Sequence, residues 1–309
     1  MTSTTHCLLR RISICCLVVG CLTLFAASTT FAQRPATPRR LPAGVTVHRD
    51  LQYAQVGDKQ LLLDLYLPEK ADGPLPVIVG IHGGGWANGS KQGGTGSFLA
   101  ARGFAVASIN YRLSGEAIFP AQIEDCKSAV RWLRANAEKY DLDPERFGAM
   151  GHSAGGHLTS LLAASGDVKE FDKGDHLEFS SRIQAACPLS GPTDLLQMDA
   201  HAPPGARLKH DAPGSPEARL IGGPIQENKE KAARVNPITY LDKEDPPFLI
   251  IHGGDDPVVP VHQAKLLDEA LRSKEVECTL KIVEGAGHGV GGPQVNEAIT
   301  KFFQKHLGR

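Results

Sequence analysis

One serine is set among small residues in a way that could support nucleophilic chemistry. The stretch reads Gly151-His152-Ser153-Ala154-Gly155 and directly follows an apolar run. Glycine and alanine tolerate sharp backbone turns because they have little or no side chain to clash. The pattern G-x-S-x-G between a strand and a helix is typical of a turn that exposes a serine hydroxyl. We therefore predict that Ser153 is a nucleophile.

A base and an orienting acid follow Ser153 in the chain. His288 lies in the small-residue loop E-G-A-G-H-G, and Asp255 and Asp256 follow the apolar run P-P-F-L-I-I-H. The order serine, aspartate, histidine is the one that accompanies this kind of serine turn. We predict that His288 takes the hydroxyl proton and that Asp256, placed at the loop tip, orients His288. Asp255 is the alternative acid, and the aspartate that does not orient His288 would shape the turn.

A glycine-rich loop could bind the negative charge that develops during such an attack. The residues His82–Trp86 read H-G-G-G-W and follow a buried apolar run. Loops of this kind form the oxyanion site in esterases. We predict that the backbone N–H groups of Gly84, Gly85 and Ala154 are the donors. A phosphate cradle is the alternative for a glycine-rich loop, but no G-K-[ST] follows this one.

Several residues that flank these motifs allow other roles. Trp86 could line the substrate pocket or cover the glycine loop, and His152 is a second candidate for the pocket. We expect His82 to shape the glycine loop, and His152 and His157 to pack or cap rather than to catalyse.

Charged residues between the glycine loop and the serine turn are expected to be structural. Arg112 ends a predicted strand, where an ion pair is a commoner role for arginine than a substrate clamp. Glu124 and Asp125 are expected on the solvated side of a helix.

Strand and helix patterns alternate along the chain. Such alternation predicts an α/β fold with a mostly parallel sheet that is covered by helices on both faces. The polar, proline- and glycine-rich stretch 190–235 interrupts the alternation and predicts a small lid-like insertion. Predicted strands are 45–48, 61–67, 76–82, 105–111, 146–150, 183–189, 247–252 and 278–283, and predicted helices are 98–102, 120–140, 157–164, 261–273 and 294–306.

The amino-terminal region resembles an export signal. Residues 1–32 contain a weakly basic start, an apolar run and a small-residue end at Ala32, which is the layout of a cleaved signal peptide. The apolar run is shorter than the roughly 20 residues of a membrane span. We predict a secreted or periplasmic protein with a flexible segment at 33–44 and a catalytic domain at 45–309. A lipid anchor at Cys21 is the less favoured alternative.

Charge and cysteine content exclude several classes of function. The formal net charge of −1 argues against nucleic acid or an anionic membrane surface as a partner. Outside the leader, Cys126, Cys187 and Cys278 can form at most one disulfide, and no C-x-x-C pair suggests a metal site. We expect no metal, and we expect the cysteines to be buried. No pattern in the sequence indicates an oligomeric state.

Together, the motifs resemble the α/β-hydrolase esterases. The segments H-G-G-G-W, S-I-N-Y-R-L, G-H-S-A-G-G-H-L, A-R-V-N-P-I-T-Y and P-P-F-L-I-I-H-G-G-D-D-P-V-V-P are similar to the BD-FAE-like branch. That branch includes feruloyl- and acetyl-xylan-type esterases and lies near the hormone-sensitive-lipase-like carboxylesterases. The resemblance runs over 45–307, and it implies the α/β-hydrolase fold and a serine ester hydrolase without cofactor.

The resemblance also implies a class of substrate. It points to short-chain acyl, acetyl or feruloyl esters, either small or linked to a polysaccharide. The long N-terminal cap of the lipase-like branch has no room here, so a relatively open site is expected. An arylformamidase-like amidase, a small serine peptidase and a binding protein that has lost its chemistry are the alternatives.

Overall fold

An eight-stranded sheet forms the centre of the molecule. The structure is a computed structural model that describes residues 41–308. The strand order is β1-β2-β4-β3-β5-β6-β7-β8. From β4 onwards in this order all neighbours are parallel, whereas β2 runs antiparallel to both β1 and β4. The strands are β1 (Val45–Val56), β2 (Lys59–Pro68), β3 (Leu75–Ile81), β4 (Ala105–Ile109), β5 (Leu142–His152), β6 (Ala185–Leu189), β7 (Phe248–Gly253) and β8 (Cys278–Val283).

Helices cover both faces of this sheet. They are α1 (Ala121–Ala135), α2 (Ala137–Tyr140), α3 (Ala154–Ala164), α4 (Pro216–Ile221), α5 (Lys229–Val235), α6 (His262–Ser273) and α7 (Pro293–Leu307). Helices pack on both faces of the sheet because all residues of the central strand β3 are buried, whichever face they point to. Val77 and Val79 belong to the core cluster that includes α1 and α3, while Ile78 packs with Phe303 of α7 in the other cluster. Neighbouring side chains of a strand point to opposite faces. The predicted fold class is confirmed.

Two predicted helices differ in continuity or type from the observed ones, and strands β1 and β5 are longer than predicted. The helix predicted at 120–140 divides into α1 and α2 at Asn136, whose side-chain amide donates to the Trp132 carbonyl at 2.9 Å. A side chain that bonds to the preceding turn in this way competes with the helical backbone pattern. The segment predicted as a helix at 98–102 is a 3₁₀ helix, Ser97–Arg102, that ends at Gly103 with a φ of +92°.

The insertion predicted at 190–235 is packed against the body of the domain. It contains α4, α5 and several 3₁₀ turns. Leu195, Leu220, Ile225 and Val235 are buried and belong to the same hydrophobic cluster as the sheet and α1. Burial of apolar side chains stabilises their position by roughly 1.5–3 kcal/mol each. The insertion therefore presents fixed rather than loosely attached residues to its surroundings.

Asp125 and Glu124 do not lie on a solvated face, and this expectation was wrong. Asp125 is 2 % exposed, and it accepts hydrogen bonds from the Arg112 backbone N–H at 2.7 Å and from the Arg112 guanidinium. Glu124 accepts from the same guanidinium at 3.0 Å. Burial raises the pKa of Asp125, although Arg112 opposes that rise. Arg112 is thus an ion-pair residue that ties the end of β4 to α1.

The amino-terminal predictions lie outside the described residues. These are the signal peptide at 1–32, the anchor at Cys21 and most of the segment 33–44. Within residues 41–308, no helix combines the length and the apolar character needed to cross a bilayer. Cys126 and Cys187 are buried, Cys278 is half-buried, and all three are free thiols.

Candidate active site

Ser153 occupies a strained turn between β5 and α3. Its φ of 58° and ψ of −125° lie in a region that non-glycine residues rarely adopt, at a typical cost of about 1–3 kcal/mol. Two backbone hydrogen bonds hold it there: Ser153 N–H donates to the Leu189 carbonyl at 2.8 Å, and the Ser153 carbonyl accepts from His157 N–H at 3.0 Å. Because the turn directly follows the last residue of β5, Ser153 lies at the carboxyl end of the parallel strands.

The glycines around Ser153 are required by close backbone packing. A Cβ atom at Gly155 would lie 2.2 Å from the Ile81 carbonyl oxygen, and one at Gly151 would lie 2.3 Å from the Gly155 carbonyl oxygen. No side chain fits at such distances. The first turn of α3 is therefore pressed against the end of β3, which leads into the glycine loop.

Asp256 and His288 are brought together although 32 residues separate them. His288 Nδ1 lies 2.8 Å from Asp256 Oδ2. Asp256 Oδ1 accepts from the backbone N–H groups of Val258 and Val259 at 2.8 and 3.0 Å. Burial alone would raise the pKa of Asp256, but hydrogen bonds from His252, His288 and these amides hold that pKa below its ordinary value. An ionised Asp256 places the proton of neutral His288 on Nδ1 and leaves the Nε2 lone pair to accept another.

A buried histidine that the sequence analysis missed also contacts Asp256. His252 Nε2 lies 3.3 Å from Asp256 Oδ2 and 2.9 Å from the Val259 carbonyl oxygen. The position of His252 near the end of a buried strand, just before G-G-D-D, was the available signal. Asp255, the alternative acid, is exposed, and its backbone N–H donates to the Ala286 carbonyl at 2.9 Å. The structure therefore places Asp256 rather than Asp255 on His288.

The glycine loop lies directly against the serine turn. A Cβ atom at Gly83 would be 2.6 Å from the His152 carbonyl oxygen and 3.3 Å from Ser153 Cβ. The φ angles of Gly84 and Gly85 are +120° and +58°, so a side chain at either would be strained. The N–H of Ala154, in the first turn of α3, has no acceptor within its own helix. The three predicted oxyanion donors therefore belong to segments that meet at Ser153.

Trp86 links the glycine loop to the helix that follows Ser153. It is buried and has a φ of 54°. Its Nε1–H donates to His157 Nδ1 at 3.2 Å, and His157 Nε2–H donates to the Val235 carbonyl at 2.7 Å. Burial lowers the pKa of His157 to about 4, so the imidazole is neutral near pH 7. His157 thus connects three segments and has no nitrogen left for catalysis.

His82 and His152 also have structural contacts. The His82 ring stacks on Tyr111 with centroids 4.3 Å apart, and its Nδ1 lies 2.8 Å from the Gly83 carbonyl oxygen. His152 Nε2 lies 2.6 Å from the backbone oxygen of His288. His152 therefore holds the loop that carries His288 and, contrary to the expectation for the pocket, does not line the cavity at Ser153.

That cavity has a volume of ≈ 200 Å³. Besides Ser153 it is bounded by the predicted oxyanion residues, by Trp86 and by residues of the insertion. A serine hydroxyl, a neutral imidazole fixed by an ionised carboxylate and a group of N–H donors are the parts that acyl transfer requires. The insertion and the residues after Asp256 complete the lining with Pro192, Leu208, His210, Pro216, Glu217, Val258 and Val259.

Comparison with known proteins adds a family match and several relatives. The BD-FAE family model matches residues 63–271. The chain is 34 % identical over 229 residues to the probable carboxylic ester hydrolase LipM of Mycobacterium tuberculosis, a match that covers 72 % of this chain. A solved structure of a truncated carbohydrate esterase from gut microbiota superimposes with a TM-score of 0.78 at 34 % identity, covering 85 % of this chain and 97 % of that one.

A further solved structure is the propionate-bound esterase Est2 of the Planctomycetes species Thermogutta terrifontis. It matches with a TM-score of 0.64 at 27 % identity and covers 85 % of this chain and 92 % of that one. The chain spans only 51 % of the length of LipM.

Proposed function

Since the chain belongs to the BD-FAE family of α/β-hydrolases, we propose that it hydrolyses carboxylic esters through Ser153, His288 and Asp256. The observation that carries this proposal is the 2.8 Å contact between His288 Nδ1 and Asp256 Oδ2. That contact belongs to the same end of the sheet as the strained turn at Ser153, and it leaves His288 Nε2 available as a base.

The proposed cycle uses two acyl transfers. Ser153 Oγ attacks the ester carbonyl carbon while His288 Nε2 takes the hydroxyl proton. The bond between the carbonyl carbon and the alcohol oxygen then breaks, and His288 gives its proton to the departing alcohol. Water attacks the acyl-enzyme, passes a proton to His288 and releases the acid, and the proton returns to Ser153. At each stage the oxyanion accepts hydrogen bonds from the N–H groups of Gly84, Gly85 and Ala154.

The preferred substrate is proposed to be a short acyl ester of a carbohydrate. The cavity volume of ≈ 200 Å³ is below the range of about 300–1,000 Å³ that is usual for drug-sized ligands. A cavity of this size suits an acetyl or propionyl group better than a long chain. One similar structure is named as a carbohydrate esterase and another was solved with propionate. Those names support the proposal by similarity.

We also propose that the protein is exported. The support for export is the tripartite pattern of residues 1–32 alone. The mass of the protein recovered from a bacterial periplasm or culture medium tests it: loss of residues 1–32 is the expected result, and recovery of the uncleaved chain from the cytoplasm would contradict export.

The decisive experiment compares wild type with Ser153→Ala on a panel of substrates. The panel contains p-nitrophenyl acetate, butyrate and octanoate, methyl ferulate, acetylated xylan and p-nitroacetanilide. We expect hydrolysis of the short esters and a loss in kcat of at least ~10⁴-fold in the variant. Ser273→Ala, which changes an exposed serine on α6, is the control and should keep the wild-type rate. A folded wild type that cleaves only the anilide, or nothing, would contradict the proposal.

A further inference from the structure

A second histidine–carboxylate pair lines the cavity at Ser153. His210 and Glu217 both belong to that lining, and their side chains are only 2 % and 4 % exposed. His210 Nδ1 lies 2.8 Å from Glu217 Oε1, and His210 Nε2 lies 3.0 Å from the Val258 carbonyl oxygen. Both residues come from the insertion, and Glu217 is in the first turn of α4.

The hydrogen bonds of this pair leave one atom without a partner. Both nitrogens of His210 face acceptors, so both can donate when the ring is protonated. Burial lowers the pKa of His210, but the hydrogen bond and the charge of Glu217 outweigh that effect and raise the pKa above its ordinary value. Glu217 Oε2 is buried and has no hydrogen-bond partner among residues 41–308. A buried carboxylate oxygen without a donor is costly, and Glu217 lines the cavity at Ser153, so a ligand bound there could supply the missing donor.

The residues that line the cavity indicate which kind of ligand group could donate a hydrogen bond to Glu217 Oε2. Much of the rest of the wall near this pair is apolar and includes Leu208, Pro216 and Val259. Trp86 also belongs to the lining, and its Nε1–H already donates to His157. A protonated His210 balances the charge of Glu217, so a neutral hydroxyl fits the site better than a cation, which would need an uncompensated anion.

We propose that Glu217 Oε2 accepts a hydrogen bond from a hydroxyl group of the ester substrate. The cavity then selects esters that carry a hydroxyl close to the carbonyl, as partly acylated sugars do. This inference rests on the proposed ester hydrolysis and assigns its specificity to one atom. A site built to pair with a hydroxyl rejects the analogue that lacks it, because the buried acceptor is then left unpaired.

Two matched substrate pairs test the role of Glu217. The first pair is 2-hydroxyethyl acetate and propyl acetate, which differ by a hydroxyl on the alcohol side. The second is ethyl glycolate and ethyl propionate, which differ by a hydroxyl on the acyl side. Measurement of kcat/KM for all four esters gives two selectivity ratios, and the ratio that Glu217 controls tells on which side of the ester its partner hydroxyl lies.

We expect wild type to favour the hydroxylated member of one pair, and Glu217→Leu to lower that preference by roughly 10- to 100-fold. Glu217→Gln keeps an acceptor but removes its charge, so it should give an intermediate preference. It also keeps the test valid if Glu217→Leu does not fold. The control is Glu227→Gln, which changes an exposed glutamate of the same insertion and should leave both ratios within about twofold of wild type.

Three results would overturn the inference. Equal losses on both members of a pair would assign Glu217 a purely structural role. A wild type that shows no preference in either pair would contradict a hydroxyl partner. A folded wild type that hydrolyses none of the four esters would overturn the proposed function and the inference together, whereas the first two results leave ester hydrolysis intact.

Discussion

His288 and Asp256 form one histidine–carboxylate pair of this molecule, and His210 and Glu217 form another. The shortest contact between imidazole and carboxylate is 2.8 Å in both. In the first pair the carboxylate is fully engaged, because each oxygen of Asp256 accepts from at least one donor. His288 is 22 % exposed, and among the described residues nothing hydrogen-bonds to its Nε2. In the second pair the imidazole is fully engaged, and the unpaired atom is Glu217 Oε2.

The difference shows that the unpaired atom, rather than the pairing distance, determines what each pair can do. An unpaired imidazole nitrogen can take a proton from a hydroxyl, whereas an unpaired carboxylate oxygen can accept a hydrogen bond from a ligand. One residue connects the pairs, since Val258 N–H donates to Asp256 and the Val258 carbonyl accepts from His210. Val258 therefore holds the two pairs in a fixed relation to each other, and the second pair lines the cavity at Ser153.

The largest expected effect is the loss of activity when Asp256, the carboxylate of the first pair, is replaced. Asp256→Asn should lower kcat/KM on p-nitrophenyl acetate by roughly 10⁴-fold, because a neutral amide no longer fixes the His288 tautomer or stabilises its cation. The neighbouring change Asp255→Asn affects an exposed side chain and is expected to stay within about threefold of wild type. Comparable losses in the two variants would contradict the assignment of Asp256.

Truncation of each histidine to alanine should affect stability and activity differently. His210→Ala leaves Glu217 buried and uncompensated, so we expect the free energy of unfolding to fall by about 3 kcal/mol. His288→Ala removes a partly exposed ring and should cost about 1 kcal/mol or less. Urea unfolding measures both values.

The same two variants should differ in the opposite direction in activity. On propyl acetate, His288→Ala is expected to lose at least ~100-fold more of its kcat/KM than His210→Ala does, since proton transfer is proposed for His288 alone. The comparison fails if His210→Ala is as inactive as His288→Ala under conditions where both proteins are folded.

The smallest expected effect is on the pH dependence of stability: the contributions of the two pairs should change with pH in opposite directions. The pKa of Asp256 is held below its ordinary value, so its contribution to stability is present above about pH 4 and is lost as the pH falls. The pKa of His210 is raised chiefly by Glu217, against the effect of burial. Its contribution is therefore full below about pH 6.5 and is lost as the pH rises through the raised pKa.

Unfolding free energies measured from pH 3 to pH 9 check both signs. Asp256→Asn should flatten the acidic limb of the stability profile, and His210→Ala should flatten the limb above about pH 6.5. A variant that flattens the other limb instead would show that its pair is assigned the wrong charge state.

The strained turn at Ser153 and the contact of His288 with an aspartate could be predicted from the sequence. Glycine is needed at 151 and 155 because backbone atoms lie within 2.2–2.3 Å of where a Cβ would be. Since this requirement concerns residues close together in the chain, it is visible in the sequence as the G-x-S-x-G pattern. The alternation of buried runs and amphipathic segments likewise follows from burial of strands and helix faces, and it predicted the confirmed fold class. Asp256 could be preferred over Asp255 only by its position in the loop.

The second pair and the burial of Asp125 could not be predicted in this way. His210 and Glu217 lie in an insertion without hydrophobic periodicity, so no pattern indicated which side chains face Ser153. Asp125 occupies a helix position that could face solvent, and only the approach of Arg112 from the end of β4 places it in the interior. His252 had a positional signal, but its contact with Asp256 depends on the path of the loop between them.

The local sequence is enough to indicate where the backbone must bend, which segments are buried and which residue types could carry out acyl transfer. It could do so because turns, strands and helices impose requirements on neighbouring residues. Which carboxylate contacts which histidine, and which atom of each pair stays unpaired, depends instead on the three-dimensional packing of separate segments. Those contacts join residues from separate segments, and their geometry is set by the packing of the whole domain.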